Sequence, residues 1–122
     1  MPAVYHQFTT AFDWTTDWTT DWTTMTEILN ELVILVMCHC IGDYVLQIDF
    51  IAKTKCRNWY HLFVHVITYC VPFAVCFGID WRLLIVGISH LIVDALKARS
   101  HKINYILDQV IHYITLCCVY LP

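Results

Sequence analysis

His39-Cys40-Ile41-Gly42-Asp43-Tyr44-Val45-Leu46-Gln47-Ile48-Asp49 sets a histidine, two aspartates and a glutamine inside an apolar run long enough to cross a membrane. Residues four apart share a helix face, so His39, Asp43 and Gln47 form one polar stripe. Ionisable groups at bilayer depth are costly and mark function. The rest of the chain is read for what it brings to meet this stripe.

Of the 122 residues, 59% are hydrophobic and 14% charged. That balance excludes an ordinary soluble enzyme and points to a single all-α integral membrane domain. The net charge of −3 is uninformative because the charges are segregated, and no nucleic-acid partner is expected. No cationic segment with a small-residue cleavage site opens the chain, so the first apolar helix is expected to act as its own membrane signal. The seven cysteines form no Cys-x-x-Cys pair and sit mostly in apolar runs. They read as reduced, buried small hydrophobes.

Residues 1–24 differ from the rest. Asp13-Trp14-Thr15-Thr16 recurs at 17–20 and 21–24, and threonine is a poor helix former. This tail is expected to be disordered, with a natural start at Met25 and the membrane domain at 25–122. Were the tail helical, Trp14, Trp18 and Trp22 would share one face suited to a membrane interface. Four spanning helices are expected, at about 27–50, 59–78, 81–98 and 103–121. Phe77-Gly78-Ile79-Asp80 reads as a tight turn, and Pro72 as a kink in the second helix. Lys53, Lys55 and Arg57 lie in one loop and Lys97, Arg99 and Lys102 in another, leaving only Arg82 elsewhere. The positive-inside rule then gives a multi-pass protein with both termini outside, in a bacterial inner membrane.

Each expected helix carries a polar pair spaced by four: His39/Asp43, His61/His65, His90/Asp94 and Asp108/His112. Counted inward at about 1.5 Å per residue, Asp94, Asp108 and His65 lie at roughly 6–9 Å and His90, His112 and Asp43 at roughly 12–15 Å. His39 is deeper, at about 21 Å, and His61 lies near the interface. The outer halves are apolar, which describes a pocket open on one side. His39-x-x-x-Asp43, a basic loop and His65 are weakly echoed by His90-x-x-x-Asp94, a basic loop and His112, suggesting a four-helix bundle of two related hairpins. Three ionised aspartates cost on the order of 8–10 kcal/mol to insert, and a bound Zn²⁺ supplies about 10–16 kcal/mol. A metal is therefore favoured over a hydrogen-bonded His–Asp network. The donors suit one or two ions of Zn, Mn or Fe.

His39-x-x-Gly42-Asp43-Tyr44-x-x-Gln47-x-Asp49, Ala52-Lys53-x-Lys55, His65 with Tyr69, His90-x-x-x-Asp94-x-x-Lys97 and Asp108-Gln109-x-x-His112 together resemble the domain of unknown function 3307 family. These are small membrane proteins of phages and bacteria. The resemblance covers about residues 33–115 and implies a polytopic membrane protein without an assigned activity; His61 stands outside the pattern. A fainter similarity is to membrane-bound metal-dependent hydrolases.

The leading expectation is a metal-dependent hydrolase of a membrane-associated phosphoryl or acyl substrate. Asp43, His65, His90, Asp94, Asp108 and His112 would be ligands, and His39 with Asp43 catalytic. Lys55, Lys97 and Arg99 would hold an anionic lipid headgroup or phosphate, with Gln47 and Gln109 orienting ligands or substrate. The alternatives are divalent-cation or proton transport or buffering, and a non-enzymatic phage membrane effector. The bilayer is the expected partner, and a unit this small is suited to pairing as a homodimer.

Overall fold

The structure is a computed structural model that describes the backbone of residues 14–122 and the side chains of residues 21–122. Helix α1 spans Trp14–Cys40 and continues into a π-helical turn at Ile41–Val45. Then come α2 (Asp49–Thr54), α3 (Trp59–Phe77), α4 (Trp81–Ser100) and α5 (Tyr105–Tyr120). The protein is all-α, with no strand among the described residues. It divides into two compact units, Met1–Asn30 and Glu31–Pro122.

The repeat copies at 17–24, expected to be disordered, lie on α1. No Gly or Pro interrupts Trp14–Cys40. The Thr26 hydroxyl, within this helix, is satisfied by bonding back to the carbonyls of Trp22 (2.9 Å) and Thr23 (2.8 Å). Trp22 is exposed, while the side chains of Trp14 and Trp18 lie outside the described residues.

Three helix starts follow from their caps. The Asn58 side chain accepts from the Tyr60 amide at 2.9 Å, Asp80 from Arg82 at 2.9 Å and Asn104 from Leu107 at 2.8 Å, each satisfying a donor the helix cannot. Hydrogen bonding to Arg82 holds the Asp80 carboxyl below its ordinary range. The turn between α3 and α4 closes at Gly78, whose φ of 84° suits a residue without Cβ. Pro72 lies buried within α3.

The first expected span, 27–50, is corrected. The Leu46 amide bonds the Ile41 carbonyl at 2.9 Å, five residues back, and the chain leaves helical geometry before α2 begins at Asp49. The wide turn coincides with a close approach. A Cβ on Gly42 would stand 2.8 Å from both the Tyr69 ring and the Tyr69 carbonyl oxygen, so only glycine lets this turn reach α3. Gln47 therefore does not continue the stripe of His39 and Asp43, and Asp49 is exposed at the start of α2.

Glu31–Pro122 has a buried interior of two kinds. Leu35, Cys38, Phe73, Val86, Leu116 and Tyr120 form an apolar cluster with Tyr69. Next to Tyr69 lie seven buried polar residues: His39, Asp43, His65, His90, Asp94, Asp108 and His112. All seven cysteines are free.

Candidate metal centre

The π turn, α3, α4 and α5 each place donors in the polar interior. Asp43 comes from the turn and His65 from α3, while α4 gives His90 and Asp94, and α5 gives Asp108 and His112. One group comprises Asp43, His65, His90 and Asp94, all buried. The two histidines face each other through Nε2 atoms 3.1 Å apart. His65 Nε2 lies 3.4 Å from Asp43 Oδ1 and 3.3 Å from Asp94 Oδ2, and His90 Nε2 lies 3.8 and 3.7 Å from the same oxygens. A tetrahedron with bonds of about 2.0–2.1 Å has edges of about 3.3–3.4 Å. Four donors at these separations fit the first shell of one small divalent cation.

A second group comprises Asp94, Asp108 and His112. His112 Nε2 lies 3.3 Å from Asp108 Oδ1 and 3.8 Å from Asp94 Oδ1. Both His112 Nε2 and Asp108 Oδ1 are buried without a hydrogen bond, a costly arrangement that a cation would relieve. The His65 and His90 Nδ1 atoms are likewise buried without a hydrogen bond, and the His90 ring stacks on Tyr69 with centroids 3.7 Å apart.

Gln109 orders the surroundings. Its Nε2 donates to Asp43 Oδ2 (3.4 Å) and Asp108 Oδ2 (3.2 Å), since carboxylates only accept. Its Oε1 therefore faces His39 Nε2, 3.0 Å away, which must carry the proton. His39 Nδ1 is then left to accept from the Tyr69 hydroxyl at 2.9 Å. Both His39 nitrogens are engaged by the protein. This arrangement fixes His39 behind the donor groups, 4.0 Å from Asp43 Oδ2.

Two lysines neutralise the outer side. Lys55 Nζ donates to Asp94 Oδ2 at 2.7 Å and Gln47 Oε1 at 2.6 Å, and Lys97 Nζ donates to Asp108 Oδ2 at 2.6 Å. Both line a cavity of about 410 Å³ that reaches Asp94 and is bordered by Ala52, Ala98 and His101.

The model of the family described as "Protein of unknown function (DUF3307)" matches residues 32–122. The chain belongs to this family. No curated protein matches it, and no solved structure does. The matched range contains every donor of both groups.

The six residues read as ligands all meet in the two groups. Others are placed differently from expectation. Gln109 faces ligands and not the cavity, and Gln47 reaches the site only through Lys55. Arg99 stacks over Trp59 at 3.5 Å and does not line the cavity at Asp94. His61 turns to Thr54, with Nδ1 2.6 Å from its hydroxyl. His101 was missed: it ends α4 with a left-handed φ of 53° and borders the cavity. No helical spacing marks it, because it stands outside the helix. The echo of His39/Asp43 in His90/Asp94 does not extend to roles, since His90 faces the donors and His39 faces Tyr69 and Gln109.

Proposed function

We propose that this protein is a multi-pass membrane metalloprotein that hydrolyses a phosphoryl or acyl bond in a membrane-associated substrate. The observation that carries the metal is the buried set Asp43, His65, His90 and Asp94, with donor separations of 3.1–3.8 Å. A divalent ion there would polarise an oxygen of the substrate and activate water. The cavity beside Asp94 supports hydrolysis over a purely structural ion, because Lys55 and Lys97 line it and can receive an anionic group.

Two helices, Asp21–Val45 and Trp59–Phe77, are long and apolar enough to cross a membrane. α4 carries four charged residues, and α5 is apolar but only 16 residues long. Exposed Ile67, Val75, Leu84, Ile88, Ile106 and Ile114 support lipid around α3, α4 and α5 as well. In this reading all four long helices span the membrane, and the basic loops hold the cavity at the cytoplasmic face.

The test is elemental analysis of detergent-purified protein, followed by phosphate release from a lipid phosphomonoester and cleavage of a lipid ester in vesicles. Bound divalent metal and metal-dependent turnover, both lost in Asp43→Ala, are expected. Protein that holds no transition metal after loading overturns the metal site. Metal without turnover on either bond overturns hydrolysis alone.

A further inference from the structure

The three buried aspartates differ in how they use their oxygens. Asp43 directs Oδ1 toward His65 and His90 and gives Oδ2 to Gln109. Asp108 directs Oδ1 toward His112 and gives Oδ2 to Lys97 and Gln109. Asp94 directs Oδ2 toward His65 and His90, where Lys55 also donates to it at 2.7 Å, and Oδ1 toward His112. Its side chain is 3% exposed. It belongs to both donor groups.

We propose that the centre holds two divalent ions as a pair, bridged by the two oxygens of the Asp94 carboxylate. The inference rests on the first group holding a metal, and adds a second ion with a different task. Asp43, His65, His90 and Asp94 give the first ion four protein donors, so it must expand to five-coordinate to take a substrate oxygen. Asp94, Asp108 and His112 give the second only three, leaving a position for water or a substrate oxygen, as catalytic ions require. Asp108 Oδ1 and His112 Nε2, in residues 1% and 2% exposed, lie 3.3 Å apart without an aligned hydrogen bond, and a second ion between them would satisfy both. Ions on opposite oxygens of one carboxylate form a close pair, typically about 3.5–4 Å apart in two-metal hydrolytic sites. Such a pair clamps both the attacking and the leaving oxygen of a displacement, which suits a phosphoryl centre. Asp94 also lines the cavity that Lys55 and Lys97 flank, so an anionic substrate reaches the pair along a cationic wall.

The experiment loads detergent-purified full-length protein with Mn²⁺, removes free ion by gel filtration, and combines elemental analysis with low-temperature electron paramagnetic resonance. Two ions per chain with an exchange-coupled spectrum are expected. Asp108→Asn and His112→Gln should each keep one ion and show the hyperfine pattern of isolated Mn²⁺. Either variant suffices if the other elutes as aggregate, and circular dichroism verifies the one used. One ion per wild-type chain, or two without exchange coupling, overturns the pair while leaving the first site standing. Wild-type stoichiometry retained in a folded variant also overturns it. No bound ion overturns both readings.

Discussion

The apolar and polar interiors of Glu31–Pro122 are equally buried, yet different forces hold them. Phe73, Leu35 and Leu116 are 0–1% exposed, as are His65, His90 and Asp108. The first set gains by contact alone and is indifferent to ions. The second places three carboxylates among histidines and two lysines, where atomic positions matter more than volume. Burial therefore does not distinguish a core from a site in this molecule; the chemistry of the buried atoms does.

That contrast can be broken experimentally. Phe73→Ala should act on stability alone. On the proposed membrane reading the transfer term largely drops out, because separated helices would remain in an apolar solvent. The cavity term, about 24 cal/mol per Å³ over roughly 100 Å³ of lost ring, leaves about 2.4 kcal/mol. Detergent-denaturation curves should show that loss, with metal per folded chain unchanged; a drop in metal content would mean the two interiors are one coupled unit.

Gln109→Ala should do the reverse. It frees Asp43 Oδ2, leaves Asp108 Oδ2 to Lys97 alone and removes the acceptor of His39, so metal affinity should fall about 10–100-fold. Competition with a chromogenic chelator measures this, and an unchanged affinity would show that the carboxylates are held without it. The smallest effect is expected from His61→Gln. His61 shares α3 with His65 but bonds Thr54, so metal content and affinity should match wild type. A loss would extend the polar interior to α2.

The same contrast explains what was legible in the chain. The helices expected at 59–78, 81–98 and 103–121 agree in their bounds with α3, α4 and α5 to within about two residues, because apolar runs and the caps Asn58, Asp80 and Asn104 are local signals. Spacing by four also identified His90/Asp94 and Asp108/His112, which meet on regular helix. It misled at Gln47, whereas His39 and Asp43 keep their shared face, 4.0 Å apart. Whether His39 faces the donors depends on Tyr69 and Gln109, residues 30 and 70 positions away. Gln47 is displaced by a π turn seated against Tyr69, where Gly42 permits the close approach. Such tertiary causes leave little periodic trace in a single chain. Asp94 as a shared residue was likewise hidden, since nothing in its spacing separates it from Asp43.

The lysine contacts bear on the order of events in the life of the chain. Lys55 on Asp94 and Lys97 on Asp108 supply two positive charges against three carboxylates before any ion arrives. On the proposed membrane-metalloprotein reading, a nascent chain would thus enter the bilayer and pack its helices with most of its buried charge already matched. Metal delivery would then be a late step, made from the aqueous side through the lysine-flanked cavity. Assembly and activation would be separable in time, with the lysines holding the place of the metal.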